Sequence, residues 1–217
     1  MEVVFNHRYM NGWFANWGKW ILHSQLIITI AGTASAQDNW SLKNEKNGIK
    51  VYNASTDSSK FKLIKVDCIV EGTIGKLVGI MEDIPHHKTW VYATKKSSLI
   101  KRIGPGDMIY YAETALPWPM NNRDAVIHMT LTRDTVKNTL TIATTGKPGL
   151  IAENKGLVRV PYLQGTYHVE AITPDKLHIV YTLRVDPGGN TPAWLVNMFS
   201  SKGPFETFQS LAEQLKN

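Results

Sequence analysis

A single cysteine, Cys68, occurs in the 217 residues, so no disulfide can form within one chain and the fold must be held by its own core. Charge is sparse as well. Charged residues make up 19% of the sequence, and the formal net charge of +6 is scattered, with Lys95-Lys96 and Lys101-Arg102 as its densest spots. Lacking a long Lys/Arg run interleaved with aromatics, the chain is not expected to bind nucleic acid. The patterns G-x-S-x-G, H-E-x-x-H and the P-loop are all missing, so no local motif points to nucleophilic, zinc or phosphate chemistry. His86-His87 follows Pro85, but adjacent imidazoles cannot easily chelate one ion, and a solvated loop is expected there. Cys68 lies in a strand-like run without a local base and is expected to be a packed thiol. No metal or cofactor is expected. No repeat or low-complexity linker follows Gln37, so that stretch suits one domain. Aromatics are what the chain does have: 7 Trp, 8 Tyr and 6 Phe.

The first residues have a layout of their own. Arg8 and Lys19 give a sparse basic start, Trp20–Gly32 is mostly apolar, and Thr33-Ala34-Ser35-Ala36-Gln37 follows. This order of basic, apolar and small residues predicts a signal peptide over 1–36, cleaved after Ala34-x-Ala36. The apolar run contains His23, Ser24 and Gln25 and is too short to cross about 30 Å of hydrocarbon. A buried N-terminal helix or an uncleaved anchor are the alternatives. Met10 offers a second possible start that leaves a more ordinary leader. Cleavage implies export, to the periplasm or beyond the cell, of a domain over 37–217.

Within that domain, Gly48–Asn53 and Lys60–Glu71 read as strands, the second alternating and rich in β-branched residues. Ile74, Leu77, Val78 and Met81 have helical spacing, with Thr73 as cap and Pro85 as stop. From Ser97 to Val185 strand-like runs alternate with turn residues, at 104–107, 117–119, 137–138, 146–149 and 173–176, predicting an antiparallel meander. Its last two runs form a hairpin in which His168 opposes Tyr181 and His178 opposes Ala171. Asp186-Pro187-Gly188-Gly189-Asn190 ends the sheet. Thr191 caps a final helix starting at Pro192. Trp194, Leu195, Met198, Phe199, Phe205, Phe208, Leu211 and Leu215 give it one apolar stripe, and Pro204 predicts a kink near Ser200.

One pair of charges stands on a greasy face. Arg123 shares strand parity with Ala125, Ile127, Met129 and Leu131, and so points into the apolar side, while Asp124 faces away. Upstream, Glu113 shares parity with Ile109 and Tyr111. A chain folded symmetrically about Trp118 places Glu113 opposite Arg123. An ion on an apolar face is costly unless paired, so each is the other's expected partner. The pair reads either as a structural salt bridge or as a polar anchor at the end of a cavity.

At these residues the sequence becomes recognisable. Tyr110-Tyr111-Ala112-Glu113-Thr114-Ala115-Leu116-Pro117-Trp118-Pro119-Met120-Asn121-Asn122-Arg123-Asp124 resembles the corresponding stretch of START (StAR-related lipid transfer) domains, notably their phosphatidylcholine-transfer-like branch. Trp90 resembles the family's tryptophan after the short helix. Asp186-Pro187-Gly188-Gly189 with Pro192-Ala193-Trp194-Leu195-Val196-Asn197 resembles its link into the C-terminal helix. The likeness runs from Asn39 to the end. It implies an α+β helix-grip (START/Bet v 1-like) fold, a curved antiparallel sheet closed by a long C-terminal helix around a hydrophobic cavity. The family's N-terminal helix is reduced here to Asp38–Leu42. The cavity is expected to be lined by Ile109, Tyr111, Ile127, Met129 and Tyr181, and by Trp194, Met198, Phe205 and Phe208 from the closing helix, with Glu113 and Arg123 at the ligand's polar end. The expected partner is a lipid, sterol or other hydrophobic small molecule, bound by a monomer that touches a membrane surface transiently. The rival readings are a cyclase- or hydrolase-like enzyme using Glu113 as acid or base in the same cavity, and an interaction module with a vestigial cavity.

Overall fold

The computed structural model of the chain describes residues 40–216, apart from 57–58 and 191. The expected leader, its cleavage site, the Met10 start and the Thr191 cap lie outside the described residues. Strands β1 (Ser41–Lys46), β2 (Ile49–Thr56) and β3 (Ser59–Glu71) lead into helix α1 (Ile74–Glu82) and a 3-10 turn over Ile84–Thr89. Strands β4 (Thr94–Gly104), β5 (Asp107–Thr114), β6 (Arg123–Asp134), β7 (Thr139–Gly146), β8 (Val158–Arg159), β9 (Tyr162–Thr173) and β10 (Lys176–Asp186) follow. The chain ends in α2 (Ala193–Asn197), a π-helical segment (Met198–Lys202) and α3 (Gly203–Lys216). The Ser41-Leu42 end of the expected N-terminal helix is therefore strand, the edge of the sheet against β2.

The sheet has ten strands in the order β1-β2-β3-β10-β9-β7-β6-β5-β4, with the short β8 running parallel to β6. This is the antiparallel, helix-closed arrangement expected of the α+β helix-grip fold. Its inner face carries alternate residues of each strand, such as Val66 and Cys68, Ile127 and Met129, Leu140 and Ile142, and Leu177 and Ile179, all buried. Burial pushes the Cys68 thiol up to about 12, as befits an inert packed cysteine. Helix α1 is capped as its sequence predicts, Lys76 N–H donating to Thr73 Oγ1 at 3.2 Å.

The C-terminal helix explains how one apolar stripe covers so wide a sheet. Proline cannot donate to a helical hydrogen bond, and its ring crowds the carbonyl four residues back. The chain widens to a π-helical turn over Met198–Lys202 just before Pro204, around the predicted kink. Beyond it, Phe205, Phe208, Leu211 and Leu215 of α3 are buried, with the Phe208 ring stacked 5.9 Å from Tyr167 and tilted at 5.5 Å from Tyr181. Before it, α2 begins at a Pro192 N-cap, and Leu195 is its fully buried anchor. Tyr92 N–H donates to Thr207 Oγ1 at 3.0 Å, tying α3 to the chain after the 3-10 turn.

Candidate functional site: a cavity beneath the C-terminal helix

Between sheet and helix lies a cavity of about 230 Å³. Strands β5 and β6 give it Tyr110, Ala112, Thr114, Arg123, Ala125, Ile127 and Met129. From β9 and β10 come Tyr167, Tyr181 and Leu183, and from the helical lid Phe199, Pro204 and Phe208. Met81, His87, Trp90 and Tyr92 close one side. The lining is mainly apolar and aromatic, as befits a site that gains affinity by removing ligand surface from water. Tyr167 and Tyr181 face each other at 4.2 Å between ring centroids, and burial raises both phenols well above their ordinary value. Tyr110 is raised by burial likewise.

Arg123 reaches this cavity, but not in the company expected. Its guanidinium donates from Nε to Pro187 O at 3.2 Å, from Nη2 to Gly188 O at 3.2 Å and from Nη1 to Asn121 O at 2.6 Å. No carboxylate lies within 4.0 Å of it among the described residues, and burial lowers its pKa. Arg123 thus pins the link into the C-terminal helix. Gly188, at φ 70°, has no room for a side chain: a Cβ there would sit 3.1 Å from Arg159 O and from Pro161 Cδ. Glu113 is elsewhere. It pairs across strands with Asp124, while Arg123 pairs with Thr114. Its carboxylate accepts from Asn122 Nδ2 at 2.8 Å and meets Lys95 Nζ at 3.2 Å. The expected Glu113–Arg123 pair does not form, because the fold-back centres between Trp118 and Pro119 and not on Trp118. A one-residue slip reverses the face of every β5 residue. Ile109, Tyr111 and Glu113 therefore sit on the outer face, and Met108, Tyr110, Ala112 and Thr114 take the inner one.

That outer face carries a buried ion pair. Asp124 Oδ1 accepts from Arg159 Nε at 2.8 Å and Oδ2 from Nη2 at 3.1 Å, with the two side chains only 1% and 3% exposed. Arg159 also donates to the carbonyls of Pro148 (2.6 Å), Ile151 (3.1 Å) and Ala152 (3.2 Å), drawing the 147–157 loop over β6. Asn154 Nδ2 donates to Asp124 Oδ2 at 3.1 Å and to the Tyr111 hydroxyl at 3.3 Å, which accounts for the burial of Tyr111 off the cavity. Burial alone would raise the Asp124 carboxyl, yet the hydrogen bonds from Arg159 and Asn154 and the charge of Arg159 hold it below its ordinary value. The hydrogen bonds that Arg159 donates to Asp124 raise its own pKa.

The comparison with known proteins decides the family. A family model described as START domain matches residues 26–217. The chain belongs to the START family. This START domain is 31% identical over 185 residues to an uncharacterized Pseudomonas aeruginosa protein, covering 85% of this chain and 90% of that one. It is 25% identical to the phosphatidylcholine transfer protein of Rattus norvegicus, over 82% of this chain and 85% of the relative. Among solved structures, the STAR-related lipid transfer protein (a fragment) from Xanthomonas axonopodis superposes with a TM-score of 0.75 at 26% identity. That match covers 83% of this chain and all (100%) of that one.

Within the START domain, Ile127, Met129, Tyr181 and Phe208 line the cavity alongside Arg123. Trp194 is 43% exposed, and Met198 and Phe205 stay outside the lining while Phe199 and Pro204 enter it. The π-helical segment inserts an extra residue and rotates α2 relative to α3, so one continuous stripe cannot face one way throughout. His87 corrects the solvated-loop expectation. It is buried, its Nε2 lies 2.9 Å from Met81 O, and its ring meets the edges of Trp90 and Tyr110 at 5.2 and 5.5 Å. Burial lowers its pKa. His86 is the exposed one, bonded to Asp83 at 2.7 Å. Arg159 had no sequence signal: its partner lies 35 residues away and the strand holding it is two residues long.

Proposed function

We propose that this START domain takes up a lipid or other hydrophobic molecule in the cavity and passes it on, as a carrier or sensor without chemistry of its own. The observation that carries the reading is the partly open, mostly apolar space of about 230 Å³ between the sheet and the lid of Phe199, Pro204 and Phe208. The lipid-transfer names of the rat and Xanthomonas relatives support it. The π-helical turn before Pro204 gives the lid a place to bend during exchange. Glu113, on the outer face beside Lys95 and Asn122, has no position from which to act as acid or base in the cavity. Native mass spectrometry of the protein purified from its host, followed by solvent extraction, tests the reading. Recovery of a hydrophobic molecule at one per chain supports it; turnover of a polar substrate in an otherwise empty cavity defeats it.

The exchange face is a membrane contact at the end of the domain where Arg123 and Arg159 gather three segments. Its tips are Trp118, 91% exposed, with Leu150 and Trp194 about half exposed, and Lys147 and Lys155 on the same loops. Interfacial tryptophan beside lysine suits an anionic bilayer surface. Trp118→Ala is expected to weaken sedimentation with phosphatidylglycerol vesicles severalfold and leave the fold intact; unchanged sedimentation removes this contact. Residues 1–36 complete the proposal as an export signal. Amino-terminal sequencing of the exported protein, expected to begin at Gln37, checks it.

A further inference from the structure

Trp90 Nε1 and Ser97 Oγ are the buried side-chain polar atoms without a hydrogen-bond partner among the described residues, and both residues line the cavity. They are 5% and 8% exposed. Native interiors leave very few such atoms unpaired, and these two belong to elements packed against each other, the end of the 3-10 turn and strand β4. Several other polar groups of the lining are already engaged. His87 contacts Met81 O, and Thr144 Oγ1 donates to Gly165 O at 3.2 Å. Tyr167 and Tyr181 bond each other, and Arg123 is committed to the carbonyls of Asn121, Pro187 and Gly188. Size adds a second constraint. An apolar cavity of about 150 Å³ takes benzene, so 230 Å³ holds roughly ten non-hydrogen atoms, far short of two acyl chains.

We propose that the cavity is built for one compact, uncharged hydrophobe whose oxygen acceptor is bound by Trp90 Nε1 and Ser97 Oγ, and not for a two-chain phospholipid. The inference rests on the carrier reading and names its ligand class. An indole N–H can only donate, so the ligand must offer an acceptor there. A hydroxyl both donates and accepts, so Ser97 complements a carbonyl, an ether or an alcohol equally. A cationic group is disfavoured at this end, because the Glu113 carboxylate is on the other face and the charge on the cavity wall is the Arg123 guanidinium.

Titration calorimetry with two matched probes, methyl heptyl ketone and nonane, separates the possibilities. The ketone is expected to bind about tenfold more tightly than the alkane, the worth of one well-made buried hydrogen bond. Trp90→Phe combined with Ser97→Ala should shrink that preference to about twofold or less, with thermal melting confirming that the variant is folded. Ser97→Ala alone, which only removes one oxygen, should shrink it partway and serves if the double variant does not fold. Alkane and ketone bound equally, or a preference untouched in the variants, overturns the acceptor site while leaving the carrier reading in place. Stoichiometric uptake of dioleoylphosphatidylcholine from vesicles overturns the size limit alone. If neither probe nor any lipid is taken up, the carrier reading falls with it.

Discussion

Arg123 and Arg159 are both buried guanidiniums at one end of the same sheet, and they are solved in opposite ways. Arg159, on the outer face, has a carboxylate: Asp124 meets it with two hydrogen bonds, and loop carbonyls take further N–H groups. Arg123, next in sequence to that aspartate but on the cavity face, has only carbonyl oxygens from Asn121, Pro187 and Gly188. The strand alternates, so consecutive residues Arg123 and Asp124 serve different layers. On the outer layer an ion pair staples a loop. On the inner layer a second carboxylate would place a net polar pair against Ile127 and Tyr181, and dipoles suffice to hold the cation while the cavity stays apolar. The same side chain is thus a charge partner on one face and a backbone peg on the other.

The largest effect should come from breaking the outer pair. Asp124→Asn leaves a buried, uncompensated guanidinium and is expected to cost about 3–5 kcal/mol in urea unfolding. Replacing both partners by apolar side chains, Asp124→Leu with Arg159→Met, should recover much of that loss. The pH dependence has a fixed sign. The folded-state pKa of Asp124 is depressed, so its contribution is present above the ordinary aspartate value of about 3.9 and is lost as pH falls through the lower folded value. Wild-type stability should drop over that acid range, and the drop attributable to this group should vanish in Asp124→Asn.

Arg123→Met is expected to cost less, about 2–3 kcal/mol, because it removes charge-assisted hydrogen bonds but strands no opposite charge. Its signature should be local. Amide exchange over 187–190 and α2 should quicken, since Arg123 is what fastens Pro187 and Gly188 beneath the helix. If exchange quickens equally across the whole sheet, Arg123 is not a peg for the link.

How much of this was readable from residues alone varies from one strand to its neighbour. The inward face of β6 was legible because Ala125, Ile127 and Met129 alternate with more polar residues, and periodicity survives whatever the strand pairs with. The face of β5 was not, since both parities there carry large apolar residues: Ile109 and Tyr111 on one, Met108 and Tyr110 on the other. Only the loop could choose, and Pro117-Trp118-Pro119 does not state whether its centre falls on a residue or between two. The β9–β10 hairpin repeats the lesson. An extra residue between Ala171 and Thr173 shifts the register, so His168 faces Val180 and His178 faces Glu170 in place of the predicted Tyr181 and Ala171. The closing helix was legible as a stripe with a kink, but the π-helical turn that resolves the kink also turned Trp194 outward. Trp90 was singled out by family likeness, whereas nothing local marked Ser97, whose unpaired hydroxyl exists only once β4 meets the cavity.

The smallest expected effect concerns Glu113, the residue the sequence singled out most sharply. Its partner Lys95 is 61% exposed, so their ion pair is screened and contributes little. Glu113→Gln keeps an oxygen able to accept from Asn122 Nδ2, whose own carbonyl oxygen accepts from Leu116 N–H at 3.0 Å. The substitution should therefore shift stability by about 0.5 kcal/mol or less and leave the ketone-to-alkane preference where it was. A large loss of ligand binding in Glu113→Gln, with folding intact, would move the carboxylate to the cavity side and erase the difference between the two faces of β5. An unchanged affinity beside a measurable loss in Ser97→Ala sharpens it, because the two residues sit on neighbouring strands and differ in which layer they face.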